Sequence, residues 1–341
     1  MIAKPLLCSL VLFVAGFSLV LLGTTPQGRA QSVSPLDPNA IVDAQLSTVP
    51  AQYVPPPDGA PKPQPNPAIV KLQVLLDRAG ASPGVIDGLD GDNVRKAVAA
   101  YQAMHGVKPG STESAKLFAA LDQPPAVIGT YVITPDDVAR IGPAIPTDYA
   151  EMAKLPALAY ASVAEELAER FHMDEGFLKT LNPQARFVAG ETIYAAVTGA
   201  NAEGQVARIE ADKTLRQVRG YDADGRLLVA YPATIGSADN PSPSGTYSVV
   251  TVVRNPTYSY NPALNFKQGD NDKPLTLPPG PNGPVGSVWI DLSKPTFGIH
   301  GTPEPSDIGK TASHGCVRLT NWDAEELAGM VSKGVTVTFV P

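Results

Sequence analysis

The hydrophobic period of this chain changes partway along its length, and that change limits the folds open to it. Up to Leu121 apolar residues return every three or four positions: Ile69, Leu72, Leu75, Leu76 and Ala79 share one helical face, and Val94, Ala97, Val98 and Tyr101 share another. Ser111 stands as the cap of a third helix carrying Ala115, Phe118 and Leu121. From Gln205 onward the period is two. Runs rich in Val, Ile, Thr and Tyr at 214–221, 226–234, 245–254, 286–292 and 335–340 read as strands, broken by turns such as Asp224-Gly225. One stretch cannot satisfy both periods, because side chains alternate across a strand but return to one helical face only every third or fourth residue. The helical and β regions are therefore expected to be separate units.

Between them, 130–199 reads as a small α+β unit. Ser162 and Glu165 form a capping-box pattern before a helix, Asp174 caps a second short helix through Leu181, and 191–197 reads as a strand. One helix, 322–331, enters the β region behind Thr320 and Asn321 as capping residues. The expected fold class is thus multidomain: a three-helix domain at 67–122, an α+β domain at 130–199, and a mostly β domain with one helix at 205–341. At 341 residues the chain is long enough for two or three such domains, each burying its own core.

The first residues predict something else. Lys4 precedes an uncharged apolar run from Pro5 to Gly23, and Gly28-Arg29-Ala30 resembles a small-x-small cleavage site, so 1–30 reads as an export signal. The run is also at the lower limit for a membrane-spanning helix, which leaves an uncleaved anchor open. Residues 31–66, with VPPPDGAPKPQPNP, are too poor in large apolar side chains to build a core and read as a proline-rich extended linker. The destination expected for the mature chain is the periplasm or cell envelope. Only 17% of the residues are charged, for a net −7 without a basic cluster, so nucleic acid is not an expected partner.

Export sharpens the reading of the cysteines. The chain has two, and Cys8 falls inside the signal as an apolar residue, leaving Cys316 without a partner for a disulfide. That thiol lies in HGTPEPSDIGKTASHGCVRL, 300–319, which also holds two of the four histidines. Within SHGCVRLT, His314, Cys316 and Arg318 take alternate positions, so a strand there would put all three on one face. His300 ends another strand-like run, TFGIHG, and the intervening loop is long enough to return the chain beside it. A thiol of ordinary pKa, about 8.5, is only a few per cent thiolate at neutral pH, and a neighbouring imidazole removes that limit by taking its proton. Backbone N–H groups around Gly315 and Cys316 could hold the oxyanion of a tetrahedral intermediate. The remaining histidines read differently: His172 as a surface or packing residue, His105 as a solvated helix end.

These motifs resemble known families. VKLQVLLDRAGASPGVIDGLDGDNVRKAVAAYQAMHGVKPG looks like the three-helix peptidoglycan-binding module, and YASVAEELAERFHMDEGFLKTLNPQARFVAGETIYAAV is similar to a LysM repeat, interrupted by an insertion-like segment at 134–156. IHGTPEPSDIGKTASHGCVRLTN resembles the signature of L,D-transpeptidases with a YkuD-type catalytic domain, a similarity that extends over about 207–340. The resemblance implies a YkuD-type β-sandwich with Cys316 as the acylated nucleophile and His300 as general base, oriented by the Gly301 backbone. It further implies Ser313, His314 and Gly315 shaping the oxyanion site, and Arg318 binding a substrate carboxylate or ordering the loop, supported by Asn321. Pro243-Ser244-Gly245 keeps the family's turn, with Ser242 where a Thr is common. The implied reaction cleaves the terminal D-Ala from a tetrapeptide stem through a thioester and transfers the acyl group to an amine. Peptidoglycan is then the partner, an envelope protein a further possible acceptor, and carbapenems the expected inhibitors; no cofactor is required.

Other chemistries fit the residues less well. His300, His314 and Cys316 could furnish three zinc ligands, but H-x13-H-x-C is not a usual zinc spacing. Papain-like peptidases place Cys before His, and sortase-type enzymes space His and Cys much further apart. Hydrolysis by the same site, as an L,D-carboxypeptidase, and a purely wall-binding protein stay open.

Overall fold

The computed structural model describes residues 36–49, 53–55, 57, 59–122, 126–236, 241–263, 266–311 and 315–341. The expectations for 1–30, Ser313 and His314 lie outside the described residues. Among those described, no helix is long and apolar enough to cross a membrane.

The segment read as an extended linker begins with a helix. Asp37 accepts from the Asn39 N–H and Pro38 occupies the first turn, so α1 forms over Pro38–Asp43, followed by a 3-10 turn at Leu46–Thr48. Ile41 and Leu46 are buried against α2 (Pro67–Arg78), and Lys71 donates to the Val42 and Ala44 carbonyls. Two well-placed apolar side chains and one cap suffice to dock a stretch whose average composition argues against it. Then α3 (Asp92–Met104) and α4 (Thr112–Leu121) follow as the periodicity predicts, with Ser111 accepting from the Ser114 N–H.

The middle region pairs β1 (Ile128–Val132) with a later strand, and between them run α5 (Pro135–Ala139), α6 (Tyr149–Met152), α7 (Val163–Arg170) and α8 (Glu175–Leu181). The closing strand is β2 (Thr192–Ala196), antiparallel to β1. Ser162 caps α7 as expected, accepting from the Glu165 N–H at 3.0 Å. The reciprocal half of the expected capping box shifts by one residue: the Glu165 carboxylate accepts from Ala161 and from the Asn282 amide instead.

These helices and the middle region do not keep separate interiors. Leu75 and Ile86 from the first, and Leu167, Met173 and Ile193 from the second, belong to one buried cluster. The chain runs Ile86 beside Met173, with backbone bonds from Ile86 to His172 and from Asp174 to Ile86.

The β region has β3 (Arg208–Asp212), β4 (Gln217–Tyr221), β5 (Leu227–Pro232), β6 (Thr234–Ile235), β7 (Gly245–Arg254), β8 (Tyr258–Tyr260), β9 (Leu275–Leu277), β10 (Val288–Leu292), β11 (Gly298–His300) and β12 (Val317–Arg318). Helix α9 (Asn321–Met330), capped by Thr320, and β13 (Thr336–Val340) complete it. Nine strands form one mixed sheet in the order β5-β4-β3-β13-β7-β10-β11-β12-β6, while β8 and β9 make a separate hairpin. The long β7 joins two halves: Gly245–Ser248 pairs with β13 and Val249–Arg254 with β10, with a register shift at Asp291 and Leu292. Helix α9 covers the second half, burying Leu327 and Met330 beside Ile290 and Ile299. Strand β3, unread in the sequence, alternates buried Ile209 and Ala211 with half-buried charges.

At the far edge, the 80–82 segment continues the sheet: Ala230 donates to Gly80 O and Ser82 donates to Ala230 O. The helical region therefore covers an edge strand that would otherwise offer unpaired backbone groups. Pro35–Pro341 pack as one compact unit.

Candidate active site

Strands β11 and β12 run parallel, with Ile299 opposite Val317 and His300 opposite Arg318. Cys316 directly precedes β12, so of the described residues of the expected face Arg318 lies in the strand and Cys316 just before it, while His314 lies outside the described residues. Gly315, at φ 109°, turns the chain into the strand, a conformation that disfavours any side chain. His300, Cys316 and Arg318 all line one cleft of about 1280 Å³.

His300 is held on two sides. Its ring stacks on Trp289, the cross-strand neighbour on β10, at 5.5 Å and 20°. Trp289 can lie there because Gly298 has no Cβ: one would stand 2.6 Å from the indole. Nδ1 is 2.7 Å from the Gly301 carbonyl, which only accepts, so Nδ1 carries the proton and Nε2 is left as the basic nitrogen. Burial, reinforced by the Arg318 charge and opposed by the Gly301 bond, lowers the His300 pKa to about 4. The imidazole is neutral at physiological pH, with Nε2 unprotonated.

Cys316 is half-buried. Its thiol donates to the Thr296 carbonyl at 3.7 Å, and burial pushes its pKa up, against the pull of a Gly298 backbone bond and Arg318. Thr296, which sequence reasoning passed over, holds φ 70°, an uncommon conformation for a β-branched residue. No composition or period signals it; only the turn 293–297 places its carbonyl against the thiol.

Ser242 is a second residue whose part emerges in the structure. Its hydroxyl donates to the Gly315 carbonyl at 2.6 Å. The peptide after Gly315 is trans, so anchoring that carbonyl sends the Cys316 N–H the opposite way. The orientation of the Cys316 N–H is thereby set by a serine 74 positions earlier, at the site where the resemblance has a Thr.

Asn321 lies behind the cleft and does not line it. At 2% exposure its Oδ1 accepts from Ser287 and Thr302, while Nδ2 donates to Glu169 and the Pro281 carbonyl. Gly301 leaves room for it, since a Cβ there would meet Asn321 Oδ1 at 2.1 Å. Arg318, by contrast, faces the cleft and has no carboxylate partner among the described residues. No group of three or more His, Cys, Asp and Glu able to ligate a metal occurs among the described residues. Of the two readings of His172 the structure has the packing one: it stacks on Trp322 at 5.1 Å and pairs with Asp77 at 3.0 Å. His105 ends α3 exposed, with Nδ1 2.9 Å from the Tyr101 carbonyl.

Comparison with known proteins matches residues 207–340 to the YkuD family, the L,D-transpeptidase catalytic domain, and 65–109 to the family described as "Putative peptidoglycan binding domain". The chain is similar to two proteins named "Putative L,D-transpeptidase YkuD". One, of Bacillus licheniformis, is 34% identical over 39% of this chain and 66% of its own length. The other, of Bacillus subtilis, is 33% identical over 34% of this chain and 55% of its own. The chain thus spans between about half and two thirds of these relatives. Among solved structures, an L,D-transpeptidase from Mycobacterium smegmatis superposes with a TM-score of 0.33 at 19% identity, covering 43% of this chain and 65% of that one.

Proposed function

With residues 207–340 an L,D-transpeptidase catalytic domain, we propose that the chain uses Cys316 and His300 to rebuild peptidoglycan crosslinks in the envelope. His300 Nε2 takes the thiol proton as sulfur attacks the carbonyl of the diamino acid at position three of a tetrapeptide stem. The Cys316 N–H, with Gly315, Ser313 and His314 shaping the surroundings, stabilises the oxyanion. Collapse expels D-Ala, which leaves as an amine after receiving the proton from His300. An incoming amine attacks the thioester, gives its proton to the same nitrogen and releases Cys316. The acceptor is another stem peptide or an envelope protein, and carbapenems acylate the same sulfur.

The single observation that carries this reading is a neutral, oriented imidazole at the end of β11 sharing a cleft with the thiol that directly precedes β12, its parallel neighbour. Residues 65–109 would hold the enzyme to the wall. For 130–199 we favour a LysM-like role, supported by the order β1, α7, α8, β2 and qualified by α5 and α6 in the insertion. Export through residues 1–30 would bring all of it to the substrate.

Mass spectrometry of products from purified disaccharide tetrapeptide tests the proposal. The unsubstituted chain should release D-Ala and yield 3-3 linked dimers, and Cys316→Ala should yield neither. Hydrolysed tripeptide without dimers would assign carboxypeptidase activity instead; wall binding without D-Ala release or carbapenem adduct would leave only the binding function.

A further inference from the structure

One wall of the catalytic cleft is not built by the catalytic domain alone. Tyr149, on α6 in the insertion of the middle region, lines the cleft together with Tyr258, Arg318 and Cys316, although it lies well outside 207–340. Its ring packs edge-on against Tyr260 at 5.2 Å and Tyr258 at 6.1 Å, joining the β8–β9 hairpin.

That position is held from several directions. The Tyr149 N–H donates to Gln268 Oε1, and Gln268 Nε2 donates to the Thr147 carbonyl. Further along, Leu158 donates to Pro279 O and accepts from Asn282 N. The backbones meet so closely at Gly280 that a Cβ there would stand 2.1 Å from Leu158 O. Leu158, Tyr260 and Leu277 form a small core of their own, with Tyr149 and Tyr258 packed on it. The insertion and the hairpin are thus one rigid wall, and the Tyr149 ring has a fixed place in it.

Glu304 and Asp307 also line this cleft, but neither forms an ion pair with Arg318. Arg318 has no acidic partner among the described residues, and no described group accepts from the hydroxyls of Tyr149 or Tyr258. Burial raises the Tyr149 phenol and the Arg318 charge draws it back, so the two side chains are within electrostatic reach of each other. A fixed cation beside phenolic donors is a site for an anion, and a planar carboxylate can take bonds from a guanidinium and a hydroxyl together.

Resting on the transpeptidase reading, we infer that Tyr149 is a specificity-determining residue that joins Arg318 in binding a carboxylate of the stem peptide, so that the middle region completes the substrate site. Two candidate groups flank the scissile bond, a free carboxylate on the diamino acid and that of the terminal D-Ala.

Binding to the full chain carrying Cys316→Ala separates this inference from catalysis. Titration calorimetry would compare the tetrapeptide with two analogues, one amidated at the diamino acid and one at the C-terminus. Tyr149→Phe keeps the ring and removes only the hydroxyl. It should weaken tetrapeptide binding about tenfold, the order expected of a hydrogen bond to a charged group. It should leave unchanged the binding of whichever analogue lacks the recognised carboxylate, which identifies that group. Equal weakening for all three ligands, or none for any, would overturn the inference. D-Ala release by the unsubstituted chain is scored separately: its absence would defeat the enzymatic reading while the binding result still decides the role of Tyr149.

Discussion

Both members of the Cys316 and His300 pair are uncharged at neutral pH, because burial lowers the imidazole to about 4 and raises the thiol. Such a pair differs from a preformed thiolate–imidazolium: the proton moves only when substrate arrives. Alkylation by iodoacetamide should therefore be slower at pH 7 than for free cysteine and should keep rising with pH beyond the ordinary thiol range. Fast alkylation near pH 6, followed by mass spectrometry, would instead mean an ion pair. Ser242 permits a second expectation at this scale. Ser242→Ala removes the hydroxyl bond to the Gly315 carbonyl and should misaim the Cys316 N–H, so kcat should fall by roughly 10-fold or more while KM changes little. Ser242→Thr keeps the hydroxyl and should retain activity, which a loss of packing alone would not predict. The sequence pointed to Cys316 and His300 because their chemistry is written in residue type and spacing, and Gly301 entered only through the family resemblance. Thr296 was silent, since a carbonyl is common to every residue and only its φ and its neighbour distinguish it.

Elements place these groups through one buried amide. Asn321, at the start of α9, ties the entry of β10 at Ser287 and the chain leaving β11 at Thr302 to Glu169 on α7. Asn321→Ala would strand two backbone N–H groups and a carboxyl out of contact with water. The cost should be about 2–4 kcal/mol, read as a shift in the urea midpoint, with activity lost through the His300 loop. Gly301→Ala should be similarly damaging, because its Cβ has no space beside Asn321. The sequence marked Thr320 and Asn321 as helix caps, and Thr320 does accept from the Asp323 N–H. It could not assign Asn321 to a three-way tie, because its partners lie 19 to 152 positions away. Helices α2 to α4, α7 and α8 were legible through caps and period, which are local. The β8–β9 hairpin was not, being short and stabilised by the insertion it packs on.

Across the whole molecule, the regions meet through buried titratable groups. Burial raises Glu169 and Asp323 to about 8 each, and His172 is raised as Asp77 outweighs burial. Groups whose folded pKa exceeds the unfolded value bind protons more tightly in the native state. Their stabilisation is complete below the unfolded values, about 4 for the carboxyls and 6.5 for histidine, and is lost as pH rises through the folded ones. His300 has the opposite sign: its contribution is present above about 6.5 and lost as pH falls through about 4. The two carboxyls outnumber it, so the chain should be more stable at pH 5 than at pH 8, by about 2 kcal/mol or more in urea titrations. Glu169→Gln and Asp323→Asn should each flatten that dependence. Because the helical and middle regions share a core and residues 80–82 extend the sheet at β5, calorimetry on the full chain should show one transition. Separate transitions for the three regions would contradict it. By itself the sequence determined which stretches could be helix or strand and which side chains could do nucleophilic chemistry, because period, capping and pKa are properties of a few neighbouring residues. Only the tertiary structure decided that the regions merge, that Asn321 braces the site from behind, and that Tyr149 reaches the cleft. Those outcomes depend on contacts between residues from about twenty to more than a hundred positions apart, whose free energy appears only when both surfaces are buried together.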